Sequence, residues 1–137
     1  MGRILAIDYG KKRCGIAATD PLRMIASPLE TVSTENLLSF IINYVTKEEV
    51  DIIVFGMPTD LRNRDTHITA DVRKAIENFK NKFPAIKIDS VDERFTSKIA
   101  FDSMIASGLG KKKRAEKERL DKISATVILQ SYLEQNS

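Results

Sequence analysis

Three acidic residues stand where carboxylates could do chemistry: Asp8, Glu93 and Asp121. Asp8 ends the apolar run "RILAI", and Glu93 lies in "SVDERFTS", just after the run "AIKIDSV". Carboxylate oxygens are hard ligands that suit Mg²⁺ or Mn²⁺. Two such ions about 4 Å apart are a common device for cleaving a phosphodiester bond. The three residues therefore raise the hypothesis of a carboxylate metal site.

Asp121 adds a second argument, because it continues an apolar stripe. Asp121, Ala125, Ile128 and Tyr132 follow one another at spacings of four, three and four, which is one face of a helix. An acidic group on a packed face is costly unless a cation neutralises it. The stripe thus favours Asp121 as a ligand that points toward other carboxylates.

Each carboxylate also has an ordinary structural interpretation. Asp8 could open a hairpin turn before Tyr9. Asp121 could cap the N-terminus of a helix, and Glu93 could pair with Arg94 on the surface. Only their joint placement favours a functional site.

Cysteine and histidine chemistry is restricted by composition. The sequence contains one cysteine, Cys14, and one histidine, His67. A single cysteine cannot form an internal disulfide, and the pair cannot assemble a Cys/His zinc site. Any metal would have to be held by carboxylates.

The pattern of apolar residues predicts an α/β fold in a single domain over 1–137. Strands are expected at "RILAIDYG", "RCGIAATD" and "IASPLETV", which short turns join into an antiparallel meander. Two later strands, "DIIVFGMP" and "AIKIDSV", alternate with helices and are expected to pair in parallel. We therefore predict a mixed five-stranded sheet with flanking helices.

Four helices complete the prediction. The first is expected to begin at Thr34, with Ser33 or Thr34 as its N-cap, and the second to span 68–79. The third is expected to run from a cap at Thr96 to Gly108, and the fourth from about Asp121 to Leu133. In such sheets the functional crevice lies beyond the carboxyl ends of the parallel strands. Asp8 and Glu93 should then open onto the same edge.

Positive charge is concentrated in one segment. "GKKKRAEKERL", residues 110–120, holds six Lys or Arg and two Glu, whereas the whole chain has a net charge of +3. Such a segment indicates a polyanionic partner such as nucleic acid, or else a solvated linker. No stretch approaches the roughly 20 apolar residues of a membrane span, so a cytoplasmic location without a membrane partner is expected.

Four motifs in order, "AIDYGKKRCGIA", "VFGMP", "VDERFTS" and "LDKISATVILQSYL", resemble the YqgF family of the ribonuclease H-like superfamily. The resemblance covers nearly the whole chain and implies a ribonuclease H-like fold. It also implies a Mg²⁺- or Mn²⁺-dependent nuclease of the bacterial cytoplasm that matures the 5′ end of 16S rRNA from its precursor. The alternative is the resolution of Holliday junctions in DNA.

The resemblance also assigns roles to residues. Asp8, Glu93 and Asp121 would be the catalytic and metal-binding triad, and Arg13 and Arg94 would hold the phosphate. From its charge, and not from the resemblance, the run Lys111, Lys112, Lys113 and Arg114 would bind the flanking nucleic-acid backbone. Gly56 and Pro58 match the family's strand-four turn, whereas Arg64 stands where a glycine is common.

Two rivals remain beside the nuclease. An ATP-using kinase-type domain could use the Asp-x-Gly hairpin, but it needs a second domain for which 137 residues leave no room. A nucleic-acid-binding module without catalysis would be expected to lack one of the acidic positions, and all three are present. The choice between RNA and DNA, and between monomer and homodimer, stays open.

Overall fold

A computed structural model describes residues 2–57, 67–92 and 113–135, and describes the side chains of 2–57, 68–91 and 124–135. Within these ranges the chain forms five strands and three α-helices. The elements are β1 Arg3–Tyr9, β2 Arg13–Thr19, β3 Ala26–Ser33, α1 Leu37–Lys47, β4 Val50–Met57, α2 His67–Lys82, β5 Lys87–Asp92 and α3 Lys113–Gln135. A short 3-10 helix, Thr34–Asn36, leads into α1.

The five strands form one mixed sheet in the order β3-β2-β1-β4-β5. β1 pairs with β2, and β2 with β3, in antiparallel fashion. β4 runs parallel to both β1 and β5. The predicted sheet of an antiparallel meander and two parallel strands is therefore confirmed. The carboxyl ends of β1, β4 and β5 meet at one edge of the sheet, which we call the carboxyl edge.

Helices pack on both faces of the sheet because the central strands β1, β2 and β4 place buried apolar side chains on both faces. α1 and α2 cover one face, where Phe55 of β4 meets Phe79 of α2 edge to face at 5.1 Å between ring centroids. α3 covers the other face. Residues of both the sheet and the helix form that second core: Ile4, Ala6, Ala17, Val54, Val91, Ala125, Ile128, Leu129 and Tyr132. Ala6 and Ala17 are short side chains, which lets α3 approach the sheet closely.

Two predicted helix starts differ from the structure. Neither Ser33 nor Asn36 caps a helix with its side chain. The Thr34 hydroxyl instead donates to the Gly10 carbonyl oxygen at 2.7 Å, so it holds the β1–β2 turn. α3 begins at Lys113 and not near Asp121, because Lys, Arg, Ala and Glu all favour helix and extend it backwards. The helix predicted over 96–108 lies outside the described residues.

Candidate catalytic site at the carboxyl edge

Asp8 lies at the carboxyl edge, one residue before the end of β1. Side chains alternate between the two faces of a strand, so Asp8 shares the face of Ile4 and Ala6, which α3 covers. The Asp8 side chain is half-buried. The predicted first ligand is thus at the end of a parallel strand, beside a packed helix.

Glycines flank Asp8 on both neighbouring strands. Asp8 pairs with Gly15 of β2. On the other side Ile7 pairs with Phe55, so the next residue of β4, Gly56, lies beside Asp8. Neither neighbour carries a side chain, and the Asp8 carboxylate is therefore not crowded by its own row of the sheet. This arrangement suits a carboxylate that must accept a hydrated cation.

Arg13 shares the face and edge of Asp8. It precedes Gly15 by two residues on β2, so its side chain belongs to the same face, one step closer to the rim. Its side chain is half-buried. The structure therefore brings together the predicted metal ligand Asp8 and the predicted phosphate-binding residue Arg13.

The β1–β2 turn holds Arg13 in place through its backbone. Thr34 donates its backbone N–H to the Lys12 carbonyl oxygen at 3.0 Å, besides its hydroxyl bond to Gly10. A Cβ added at Gly10 would collide with the Arg13 carbonyl oxygen. The turn consequently requires glycine at this position, and Thr34 of the short 3-10 helix holds the turn through two hydrogen bonds.

α3 runs toward the carboxyl edge. Its C-terminal part lines a groove with Met24 and Ile25 of the β2–β3 loop, which is the opposite end of the sheet. The preceding turns therefore lead toward Asp8. Asp121 is one turn before the buried Ala125, with its backbone eight residues inside the helix. The N-cap interpretation of Asp121 is wrong for this reason.

Tyr132 fixes the position of α3 along the sheet. Its hydroxyl donates to the Asp89 Oδ2 of β5 at 3.0 Å, and only 3% of the residue is exposed. Burial and the Asp89 carboxylate raise the pKa of Tyr132 to about 12. The sequence placed Tyr132 on the packed face but did not reveal this bond, since its partner is distant along the chain.

The other predicted site residues have mixed outcomes. Glu93, Arg94, Lys111 and Lys112 lie outside the described residues. Lys113, Arg114 and Asp121 belong to α3, whose backbone is described there. Among the residues with described side chains, no three of the His, Cys, Asp and Glu side chains lie together. The triad as a whole stays a prediction.

The sheet order, with helices on both faces, defines a ribonuclease H-like fold of the kind found in Holliday junction resolvases. The fowlpox virus resolvase in complex with Holliday junction DNA has this fold, with a TM-score of 0.58 at 16% identity over 98% of both chains. The same resolvase in a second crystal structure gives a TM-score of 0.55 at 15% identity, over 97% of this chain and 99% of that one.

The chain belongs to the RuvX family, which the motifs indicated under the name YqgF. The family model described as "RuvX: Holliday junction resolvase" matches residues 2–135. A protein of Amoebophilus asiaticus named "Putative pre-16S rRNA nuclease" is 50% identical over 97% of this chain and 94% of its own length. A protein of Flavobacterium psychrophilum with the same name is 50% identical over 97% of both chains.

None of the helices in the described part of the chain is long and apolar enough to cross a membrane.

Proposed function

We propose that this protein is a metal-dependent nuclease of the bacterial cytoplasm that cleaves the 16S rRNA precursor during maturation of its 5′ end. The observation that carries the proposal is the placement of Asp8. It lies at the carboxyl edge of a ribonuclease H-like sheet, between two glycines and beside Arg13. The names of relatives that are half identical in sequence support the choice of substrate.

A divalent cation, Mg²⁺ or Mn²⁺, fits the donor set. Asp8, Glu93 and Asp121 would hold it, since all three are carboxylates and Asp8 has glycines on both sides. When bound, such ions supply an activated water and stabilise the charge on the leaving oxygen. The chain need not provide a nucleophile of its own.

The basic residues would bind and orient the substrate. Arg13, on the Asp8 face, presents a planar guanidinium that can hold a phosphate through two hydrogen bonds, and Arg94 would act in the same way. Lys111, Lys112, Lys113 and Arg114 would neutralise phosphates beyond the cleaved bond. Such contacts contribute affinity and register without reading the sequence.

A second candidate is the resolution of Holliday junctions. The description of the family model and the fold shared with the fowlpox resolvase favour it. Symmetric cleavage of a four-way junction would need two sites, which means a homodimer. A junction-cutting enzyme would therefore pair its subunits, whereas an RNA-trimming enzyme could act as a monomer.

The two candidates are separated by offering both substrates to one preparation. Purified protein with Mg²⁺ is incubated with precursor RNA that carries the 16S 5′ leader and, separately, with a four-way DNA junction. We expect cleavage of the RNA and an intact junction. Symmetric junction cuts with intact RNA would overturn the RNA assignment. No cleavage of either substrate, with binding retained, would identify a non-catalytic nucleic-acid-binding module.

A further inference from the structure

A concave site lies at the carboxyl edge, on the face opposite to Asp8. It is a cavity of about 360 Å³ between the end of β1, the start of α1 and the middle of α2. We call it the Tyr9 pocket. Its lining combines apolar side chains, among them Tyr9, Leu38 and Phe79, with the polar side chains Asp71, Lys74 and Asn78.

The chemistry of the Tyr9 pocket suits a flat, partly polar ligand. Its volume is within the range of about 300 to 1,000 Å³ that is typical of small-molecule sites. Tyr9 is half-buried and rests on the core, so its ring is held in position. Asp71, Lys74 and Asn78 lie on one side of α2 and are exposed at the rim. An aromatic wall with hydrogen-bonding groups at the rim is how proteins bind an unstacked nucleobase.

The Tyr9 pocket offers polar groups of four kinds. Tyr9 contributes a phenol hydroxyl, Asn78 an amide, Asp71 a carboxylate and Lys74 an ammonium group. This set can pair with the edge of a base and with its phosphate.

The Tyr9 pocket is connected to the catalytic site by the β1–β2 turn. Asp8 and Tyr9 are consecutive residues of one strand, so their side chains leave opposite faces at the same point of the edge. The exposed Lys11 and Lys12 lie in the turn just beyond them. A single strand with a phosphate held by Arg13, beside Asp8, would meet these two lysines on its way across the edge.

We propose that the Tyr9 pocket binds one unstacked base of the single-stranded nucleic acid whose backbone is held at Arg13, beside Asp8, a few nucleotides from the cleaved bond. The inference rests on the proposed nuclease function and adds a base-binding subsite to it. The ligand is a purine or pyrimidine base, which either RNA or DNA can supply.

The test measures base stacking without cleavage. The full-length protein is titrated with short single strands that carry one 2-aminopurine, moved one position at a time, in EDTA. Matched RNA and DNA strands are used to distinguish the two sources. We expect fluorescence quenching at one position of the RNA, the DNA or both, since aromatic stacking quenches this base. Tyr9→Leu, which keeps an apolar side chain, should abolish the quenching.

A pair of charge reversals on α2 provides a second readout. Lys74→Glu at the rim should weaken binding of the single strand about tenfold. Lys80→Glu makes the same change on the same helix outside the pocket lining, and should weaken binding much less. Far-ultraviolet circular dichroism confirms that each variant is folded. If Tyr9→Leu does not fold, the difference in single-strand affinity between Lys74→Glu and Lys80→Glu tests the pocket on its own.

The outcomes separate the pocket from the proposed function. The proposal that the Tyr9 pocket binds a base would be overturned by the absence of a quenched position in either strand. Equal effects of Lys74→Glu and Lys80→Glu on binding would also overturn it, even if the protein cleaves precursor RNA. Quenching lost in Tyr9→Leu, from a protein that cleaves nothing, would support the pocket while the nuclease function fails.

Discussion

At the carboxyl edge, glycines lie next to the charged residues Asp8 and Arg13. Gly15 and Gly56 stand on either side of Asp8, and Gly10 closes the adjoining turn against the Arg13 backbone. A larger side chain at Gly15 or Gly56 would fill the row of the sheet that holds Asp8. The three glycines therefore leave space around Asp8 and Arg13 in the candidate site.

The first prediction concerns Gly10. We expect Gly10→Ala to lower the free energy of unfolding by about 1 to 3 kcal/mol, because the new methyl group presses on the Arg13 carbonyl oxygen. The pressure of the methyl group on the turn should also displace Arg13, and nucleic-acid binding should weaken as a result. Urea unfolding and a binding titration measure the two effects. Lys11→Ala, an exposed change in the same turn, is the control for the unfolding measurement. Equal stability of the two variants would contradict the prediction.

The second prediction concerns Tyr132. We expect Tyr132→Phe to cost about 1 to 2 kcal/mol of stability at pH 7, because the hydroxyl no longer donates to the Asp89 carboxylate. Urea unfolding measures the loss. Ser131→Ala, on the neighbouring position of α3, is the control and should cost less.

The same residue makes stability depend on alkaline pH. The pKa of Tyr132 is about 12 in the folded protein, above the ordinary value of 10.0. The unfolded chain therefore releases this proton first, and the contribution of Tyr132 is complete below pH 10 and is lost as the pH rises toward 12. The gap in unfolding free energy between wild type and Tyr132→Phe should narrow over this range. A constant gap would contradict the assignment.

At the scale of elements, α3 links the sheet to the predicted third ligand. Its buried side chains reach across the sheet face, and Tyr132 bonds to β5, so the helix cannot slide freely. The part of α3 that begins at Lys113 then carries basic residues toward the carboxyl edge. One helix thus combines the predicted ligand Asp121 with the predicted backbone contacts Lys113 and Arg114.

The third prediction tests the start of α3. Replacing both Lys113 and Arg114 with Gln should weaken nucleic-acid binding and reduce its salt dependence, since each phosphate contact contributes about 0.7 to 0.9 to the slope of log affinity against log salt. Binding titrations across a salt series measure the slope. Lys80→Gln with Lys82→Gln removes two exposed charges near the end of α2 as a control. An unchanged slope in the α3 variant would contradict the prediction.

Local patterns of the sequence predicted the strands well because each strand has a short apolar run ended by turn residues. The ends of helices were harder. Thr34 looks like an N-cap, but its hydroxyl bonds to Gly10 in a turn formed 24 residues earlier. Likewise "KRAEKER" looks like a linker because of its charge, although its residues favour helix once the apolar part of α3 packs on the sheet. In both cases the structure depends on contacts with residues that are distant along the chain.

The candidate site was predictable in part. Asp8 follows an apolar run, and strand order places it at the carboxyl edge, so sequence and topology suffice. The Tyr9 pocket could not be predicted, because it depends on how α1 and α2 meet around the end of β1. Likewise, the bond between Tyr132 and Asp89 joins elements that no local pattern relates.

At the scale of the whole molecule, helices cover both faces of the described sheet, and the candidate site and the Tyr9 pocket lie at the same edge. Asp8 and Arg13 open onto the α3 side, and the Tyr9 pocket opens onto the side of α1 and α2. The exposed lysines of the β1–β2 turn lie between them. A single strand that crosses this edge would contact both faces at once, which suits the end of a precursor RNA better than a rigid duplex.

The most direct test of the central claim compares Asp8→Asn with wild type in Mg²⁺-dependent cleavage of precursor RNA. Glu77→Gln, the same loss of one carboxylate at an exposed position of α2, is the control. We predict that Asp8→Asn loses cleavage at least a hundredfold while binding is retained, and that Glu77→Gln cleaves like wild type, since Asp8 would hold the metal. Retained cleavage by a pure, folded Asp8→Asn protein would contradict the account.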